Sequence, residues 1–227
     1  MTDIENQPGS DPVAGVILAG GLARRMGGGD KTLKPLAGRT ILSFIVERLR
    51  PQVDGLVLNA NGNPARFDEY GLEVVPDTVG DHAGPLAGIL SGMRWAAQKM
   101  PAARFIVSAA GDTPFFPADL VARLAEGCGR NEQTIALAAS ANGVHPVFGL
   151  WPVGLADDLQ AFLESGQSGK ILDFADRYLR LNVPFDHLDV DDEEVDPFFN
   201  INTPEDADRA NRVARFIGEP DGGADGS

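Results

Sequence analysis

Across 227 residues, 33 acids outnumber 19 lysines and arginines, for a formal charge of -14 with the three histidines neutral. A chain this acidic is repelled by a phosphate backbone, which disfavours nucleic acid as a partner. The single cysteine, Cys128, excludes an intramolecular disulfide, and no run reaches the roughly 18 apolar residues of a membrane span, so a soluble cytoplasmic chain is expected. The length suits one α/β domain, taken as 12–217, with disordered tails at 1–11 and 218–227.

In chain order, Val13 to Leu18 (VAGVIL) is a short run of branched apolar residues, which predicts a strand buried on both faces. Ala19 to Lys34 holds five glycines and reads as a loop. Thr40 can cap a helix from Ile41 to about Arg50, stopped by Pro51. Strands are predicted at Gly55–Asn59 and Glu73–Pro76, then a helix from Pro85 to Met100, whose proline has no N–H to leave unpaired in the first turn. Phe105 to Ala109 reads as another buried strand, delivering Gly111 and Asp112 to its carboxyl end. A helix from Pro117 to Glu126 leads to strands near Thr134–Ala139 and Pro146–Trp151. Further on, Leu155–Glu164 and Lys170–Tyr178 read as helices, and Asp186–Asp196 holds seven acids and reads as a solvated loop. Thr203 caps a final helix, with Pro204 at its first position and Asp206 three residues past the cap. The alternation predicts a three-layer α/β fold, a mostly parallel sheet with helices on both faces, whose ligands bind outside the carboxyl ends of the strands.

Between Leu18 and Arg39, five basic residues (Arg24, Arg25, Lys31, Lys34 and Arg39) face one acid, Asp30, while the rest of the chain carries 14 basic and 32 acidic residues. Positive charge is thus concentrated beside the glycine loop that follows the first strand. Glycines let backbone N–H groups turn toward an anion while guanidinium and ammonium groups neutralise it, so a polyphosphate fits. The spacing matches neither GxGxxG nor GxxxxGK[ST]. A flexible loop with solvated charges remains the alternative.

Asp112, in AAGDTP, can hold Mg²⁺ beside phosphates from the end of a buried strand, or can instead cap a helix. Asp77, in VVPDT, has the same two readings. His82, His145 and His187 lack metal-ligand spacing and are read as structural, and Cys128 as inert. No nucleophile paired with a base is evident.

Taken in order, Leu18-Ala19-Gly20-Gly21, Arg25-Met26-Gly27-Gly28, Asp30-Lys31, Gly84-Pro85-Leu86-Ala87-Gly88, Asp112-Thr113-Pro114 and Asn200-Ile201-Asn202-Thr203-Pro204-Glu205 resemble the molybdenum cofactor guanylyltransferase family. The resemblance spans about Val13 to Ile217. It implies a nucleotide-diphospho-sugar-transferase-like fold and a cytoplasmic enzyme that joins GMP from GTP to the terminal phosphate of molybdopterin, with Mg²⁺, releasing pyrophosphate. Carried over by position, it implies that Leu18, Ala19 and Gly20 line the nucleotide and that Lys31 contacts its phosphates. Asn59 and Asp77 become further GTP contacts, with Asn61 a competitor for the role of Asn59. Asp112 becomes the Mg²⁺ ligand, and Asn200 and Asn202 part of the pterin-side or metal-side wall. The charge requirement of the reaction adds Arg25 beside Lys31 as a catalytic cation for the pyrophosphate leaving group. Partners implied are molybdenum-cofactor biosynthesis proteins and acceptor molybdoenzymes or their chaperones.

Two other readings compete. One is a cytidylyltransferase or sugar-phosphate nucleotidyltransferase of the same fold, whose first loop commonly carries alanine where this chain has Gly20. The other is a GTP-binding module without chemistry. The third consecutive glycine, Gly29, and the acidic stretch before Phe198 depart from the family pattern.

Overall fold

The computed structural model describes residues 11–20, 30–79, 84–129, 131–166 and 168–218. Apart from Asp11 and Gly218, the two expected tails lie outside these residues, as do Arg24 and Arg25. The elements in order are β1 (Val13–Leu18), a hairpin of β2 (Pro35–Leu36) and β3 (Arg39–Thr40), α1 (Ile41–Leu49), β4 (Gly55–Asn59) and β5 (Glu73–Val75). Then come α2 (Pro85–Lys99), β6 (Phe105–Ala110), α3 (Leu120–Cys128), β7 (Thr134–Ser140), β8 (Gly143–Pro152) and α4 (Ala156–Glu164). The chain continues through α5 (Ile171–Ala175), β9 (Leu179–Pro184), a hairpin of β10 (Leu188–Val190) and β11 (Glu193–Val195), and α6 (Pro204–Gly218).

Seven strands form one sheet in the order β5-β4-β1-β6-β8-β7-β9. Every neighbouring pair is parallel except those involving β8, which runs against both β6 and β7. The sheet is therefore mostly parallel, as the alternation of elements predicts. From β1 the chain moves outward to β4 and β5, then returns through α2 to the other side of β1 at β6. The order reverses between β1 and β6, and such a reversal opens a crevice at the carboxyl ends of the two strands.

Both sheet faces are covered, which explains why the central strands read as unbroken apolar runs. Ile17, Leu58, Val107 and Ala136 pack with α1, α3 and α6, whereas Val16, Val57, Ile106 and Ile135 pack with α2, α4 and α5. Ser108 stays buried in this setting because its hydroxyl donates to Val147 O at 2.6 Å and accepts from Trp151 Nε1 at 2.9 Å. Thr40 caps α1 by accepting from Ser43 N at 3.2 Å. At α6, Thr203 Oγ1 accepts from Asp206 N at 3.1 Å and Asp206 Oδ2 accepts from Thr203 N at 2.9 Å, a reciprocal capping box.

The structure corrects three elements of the sequence reading. The helix expected from Pro117 begins at Leu120, where Gln52 Oε1, 69 residues away, accepts from Val121 N at 3.0 Å. The expected helix 170–178 stops at Ala175, and β9 follows as a half-exposed edge strand that lacks an apolar run. The acidic stretch is not a loop: Asp191 (φ 51°) and Asp192 (φ 63°) turn the β10–β11 hairpin, which buries Val190 and Val195. Asp tolerates left-handed backbone well enough to make such a turn without glycine. The β2–β3 hairpin turns likewise on Ala37 and Gly38, both at positive φ.

Candidate active site

A cleft of about 640 Å³ opens over the β1–β6 reversal. Leu18, Ala19 and Gly20 enter it from the end of β1, Asp112 from the end of β6, and Asn59 and Asp77 from the β4–β5 side; Lys31 and Asn200 complete the floor. Asn202 lies just behind this lining and touches Lys31. Arg25 lies outside the described residues. No helix among the described residues is long and apolar enough to cross a membrane.

The close fit of the floor depends on two glycines. Gly111 N donates to Leu18 O at 2.9 Å, and a methyl at 111 would stand 2.7 Å from that same oxygen, so only glycine lets β6 leave the sheet here. Gly88, on the buried face of α2, faces Leu18 and Asn59; a methyl there would lie 2.7 Å from Leu18 Cδ2 and 2.9 Å from Asn59 Cγ. Gly88→Ala is therefore expected to cost about 1–3 kcal/mol by overpacking. It should also push the Asn59 amide from its seat against Asp77. Urea unfolding of the variant measures the loss of stability.

At the centre, Lys31 Nζ donates to Asp112 Oδ2 at 2.5 Å and to Asn202 Oδ1 at 2.5 Å. The lysine is buried, the carboxylate only partly so. Thr113 Oγ1 bonds Asn200 Oδ1 at 2.5 Å and Asp112 Oδ1 at 3.2 Å, and Ile201 N donates to Asp112 O at 3.0 Å. Asp112 thus orients the cation and is fixed against the 200–202 segment, rather than capping a helix. On the opposite flank Asp77 is held by both candidate asparagines: Asn59 Nδ2 donates to Oδ1 at 2.9 Å and Asn61 Nδ2 to Oδ2 at 2.8 Å. Both asparagines line the cleft and both hold Asp77. Asp30 stands apart from the centre, paired with Arg66 Nε at 2.6 Å. Arg66 carries no sequence signal, because its partner is 36 positions away.

Sequence reading missed the third wall. The first half of β8, Val144 to Phe148, lines the cleft, and so does Phe198. His145, expected to be merely structural, belongs to this lining. Its Nε2 lies 2.7 Å from Ser140 Oγ, and its ring stacks on Phe198 with centroids 4.6 Å apart. Burial lowers the imidazole pKa, while the nearby Asp196 carboxylate opposes that shift. For Asp196 burial acts to raise the pKa, but hydrogen bonds from Phe198 N, Asn142 and Ser140, together with His145, bring it below the ordinary 3.8.

A carboxylate whose folded pKa lies below its unfolded value stabilises the fold above the unfolded value and loses that contribution as pH falls through the folded one. Acid unfolding of this protein is thus expected to be less steep below about pH 4 in Asp196→Asn than in the unsubstituted chain, with little difference in slope between pH 6 and 8. Thermal melts across this range measure it. Cys128 is buried, donates to Thr134 O at 3.2 Å, and burial pushes its thiol up to about 11, in keeping with an inert role.

The sequence profile of the MobA-like NTP transferase domain matches residues 15–180. The molybdenum cofactor guanylyltransferase of Bradyrhizobium sp. (strain ORS 278) is 52% identical over 202 residues, spanning 89% of this chain and 93% of its own length. Molybdopterin-guanine dinucleotide biosynthesis protein A from Archaeoglobus fulgidus has the same fold, with a TM-score of 0.67 at 23% identity over 89% of this chain and 98% of that one. Rv0371c from Mycobacterium tuberculosis, whose structure is a complex with manganese, gives 0.59 at 21% identity over 88% and 97% of the two chains. With the cation, carboxylate and amide groups gathered at the strand reversal, this chain belongs to the MobA-like NTP transferase family, as a relative of the molybdenum cofactor guanylyltransferases, and is a nucleotidyltransferase.

Proposed function

We infer that this protein transfers GMP from GTP to the terminal phosphate of molybdopterin, forming molybdopterin guanine dinucleotide and pyrophosphate, within a single domain spanning 12–217 and in the cytoplasm. The observation that carries this reading is the Lys31 ammonium, set between Asp112 and Asn202 on the floor of a cleft in an otherwise acidic chain. Molybdenum-cofactor biosynthesis proteins and acceptor molybdoenzymes or their chaperones are the proposed partners for substrate supply and product delivery.

Joining two phosphate groups sets like charges against each other, at about 3 kcal/mol per unit pair ~5 Å apart with an effective dielectric of 20. Lys31 offsets this locally: on substrate binding its ammonium moves from Asp112 to the phosphates and stabilises charge developing on the pyrophosphate leaving group. Leu18, Ala19 and Gly20 present backbone to the nucleotide. A methyl at Gly20 would meet nothing within 4 Å among the described residues. Asn59 and Asp77 hold the nucleoside end, Asp77 kept in one orientation by its two amide donors. Asn200 forms part of the pterin-side wall, with Asn202 behind it holding Lys31. The acceptor phosphate displaces pyrophosphate in line at the α-phosphorus, without a covalent enzyme intermediate.

Among the described residues no three His, Cys, Asp or Glu side chains gather as a metal cage. Asp112, a single partly exposed carboxylate beside the triphosphate position, suits Mg²⁺, which keeps waters and binds through one or two carboxylates plus substrate phosphates. Asp112 is the residue that would hold the ion, and its chemistry when bound is to neutralise and orient the α-phosphate. Incubating the protein with GTP, Mg²⁺ and molybdopterin and weighing the product tests the reading: the dinucleotide mass is expected with GTP, and product only with CTP would overturn it.

A further inference from the structure

We propose that His145 is a further catalytic residue, on the acceptor side of the cleft, whose Nδ1 takes the last proton of the acceptor's phosphate monoester as that oxygen attacks the α-phosphorus. The proposal rests on the guanylyl-transfer reading and adds to it the group that readies the nucleophile.

The sheet order places His145 for this role. At the carboxyl edge the strand ends run β4, β1, β6, and then the amino end of β8, because β8 is antiparallel. Asn59 ends β4, Asp112 follows β6, and His145 lies near the start of β8. Three strand spacings, about 14 Å, separate the β4 and β8 positions. A nucleotide reaching from Asn59 and Asp77 to Lys31 and Asp112 leaves the β8 flank, lined by Val144, His145 and Phe198, for the incoming acceptor.

The ring is held so that one nitrogen remains for chemistry. Ser140 Oγ donates its only proton to Asp196 Oδ2 at 2.9 Å and can therefore only accept at its 2.7 Å contact with His145 Nε2. That fixes Nε2 as the protonated nitrogen and leaves Nδ1 with the lone pair in the neutral ring. Asn142 N supports Ser140 Oγ at 3.1 Å, and Phe198 stacks on the ring at 26°. The charged group set against the imidazole is Asp196. Because burial keeps the ring neutral into mildly acidic solution, it can still accept a proton near pH 6, where a phosphate monoester holds its second proton.

In the step, the O–H bond of the acceptor's phosphate breaks and its proton passes to Nδ1, the P–O bond staying intact. The oxygen's electron pair forms the bond to the α-phosphorus, and the bond from that phosphorus to the β-phosphate oxygen breaks, its pair leaving on pyrophosphate. The imidazolium then returns the proton to solvent. Ser140 and Asp196 act as positioning residues.

The test compares His145→Gln with the unsubstituted protein in dinucleotide formation from GTP, Mg²⁺ and molybdopterin between about pH 6 and pH 8.5. The expected result is a loss of at least about tenfold in kcat/KM for molybdopterin at pH 6, shrinking to within about threefold at pH 8.5, where the acceptor is already a dianion. GTP affinity by calorimetry should not change. Ser140→Ala should show the same pH shape with a smaller loss, and it carries the test if the glutamine variant does not fold. A loss of equal size at every pH, or no loss, overturns the role of His145. Failure of the unsubstituted protein to form the dinucleotide would instead overturn guanylyl transfer.

Discussion

Replacing Lys31 by alanine is expected to lower dinucleotide formation by roughly 10²–10³-fold, the usual cost of removing one preorganised donor from developing negative charge. The effect should fall on kcat, because the proposed mechanism passes the ammonium from Asp112 in the free enzyme to the phosphates in the reacting complex. Stability should change little. Asp112 is a quarter exposed, so water can solvate it once the lysine is gone. Pyrophosphate release under saturating GTP and molybdopterin, alongside a thermal melt, separates the two outcomes. Near-normal turnover in Lys31→Ala would remove the lysine from the mechanism and leave the positive charge beside the glycine loop without a catalytic role.

The second large effect is expected at Asp112→Asn. The amide keeps the shape of the carboxylate, and its oxygen can still accept from Thr113, so the 200–202 segment should remain seated. What is lost is the charge that would hold Mg²⁺ and balance Lys31. Turnover should fall by at least about 10²-fold, and the concentration of Mg²⁺ giving half-maximal rate should rise. Titrating pyrophosphate release with Mg²⁺ and with Mn²⁺ reads both quantities. An Asn variant with unaltered metal demand would assign the metal to another residue.

In the proposed mechanism Lys31 and Asp112 serve the leaving group and the α-phosphate, whereas His145 serves the nucleophile. Losses at Lys31 should therefore be nearly independent of pH over the range in which those at His145 fade.

Much of this protein is legible in its local chemistry. Val13–Leu18 and Phe105–Ala110 announce themselves because strands buried on both faces need unbroken apolar runs. Thr203 and Asp206 mark a helix start because both halves of the capping box lie within one turn. The glycine loop and its cations, with Asp112 after a buried strand, are likewise contiguous in sequence, and Lys31 and Asp112 could be nominated from their immediate surroundings.

Folding alone brought these pieces into contact, since no short-range pattern encodes it. Lys31 meets Asp112 across 81 positions and Asn202 across 171, and Asp77 gains its two amide partners from β4 and the residues just beyond it. Residues such as Arg66 and His145 stayed silent in the chain because a lone polar side chain acquires meaning from neighbours the sheet order supplies. For His145, the decisive feature is the antiparallel course of β8, which carries it to the same edge as the ends of β1 and β6.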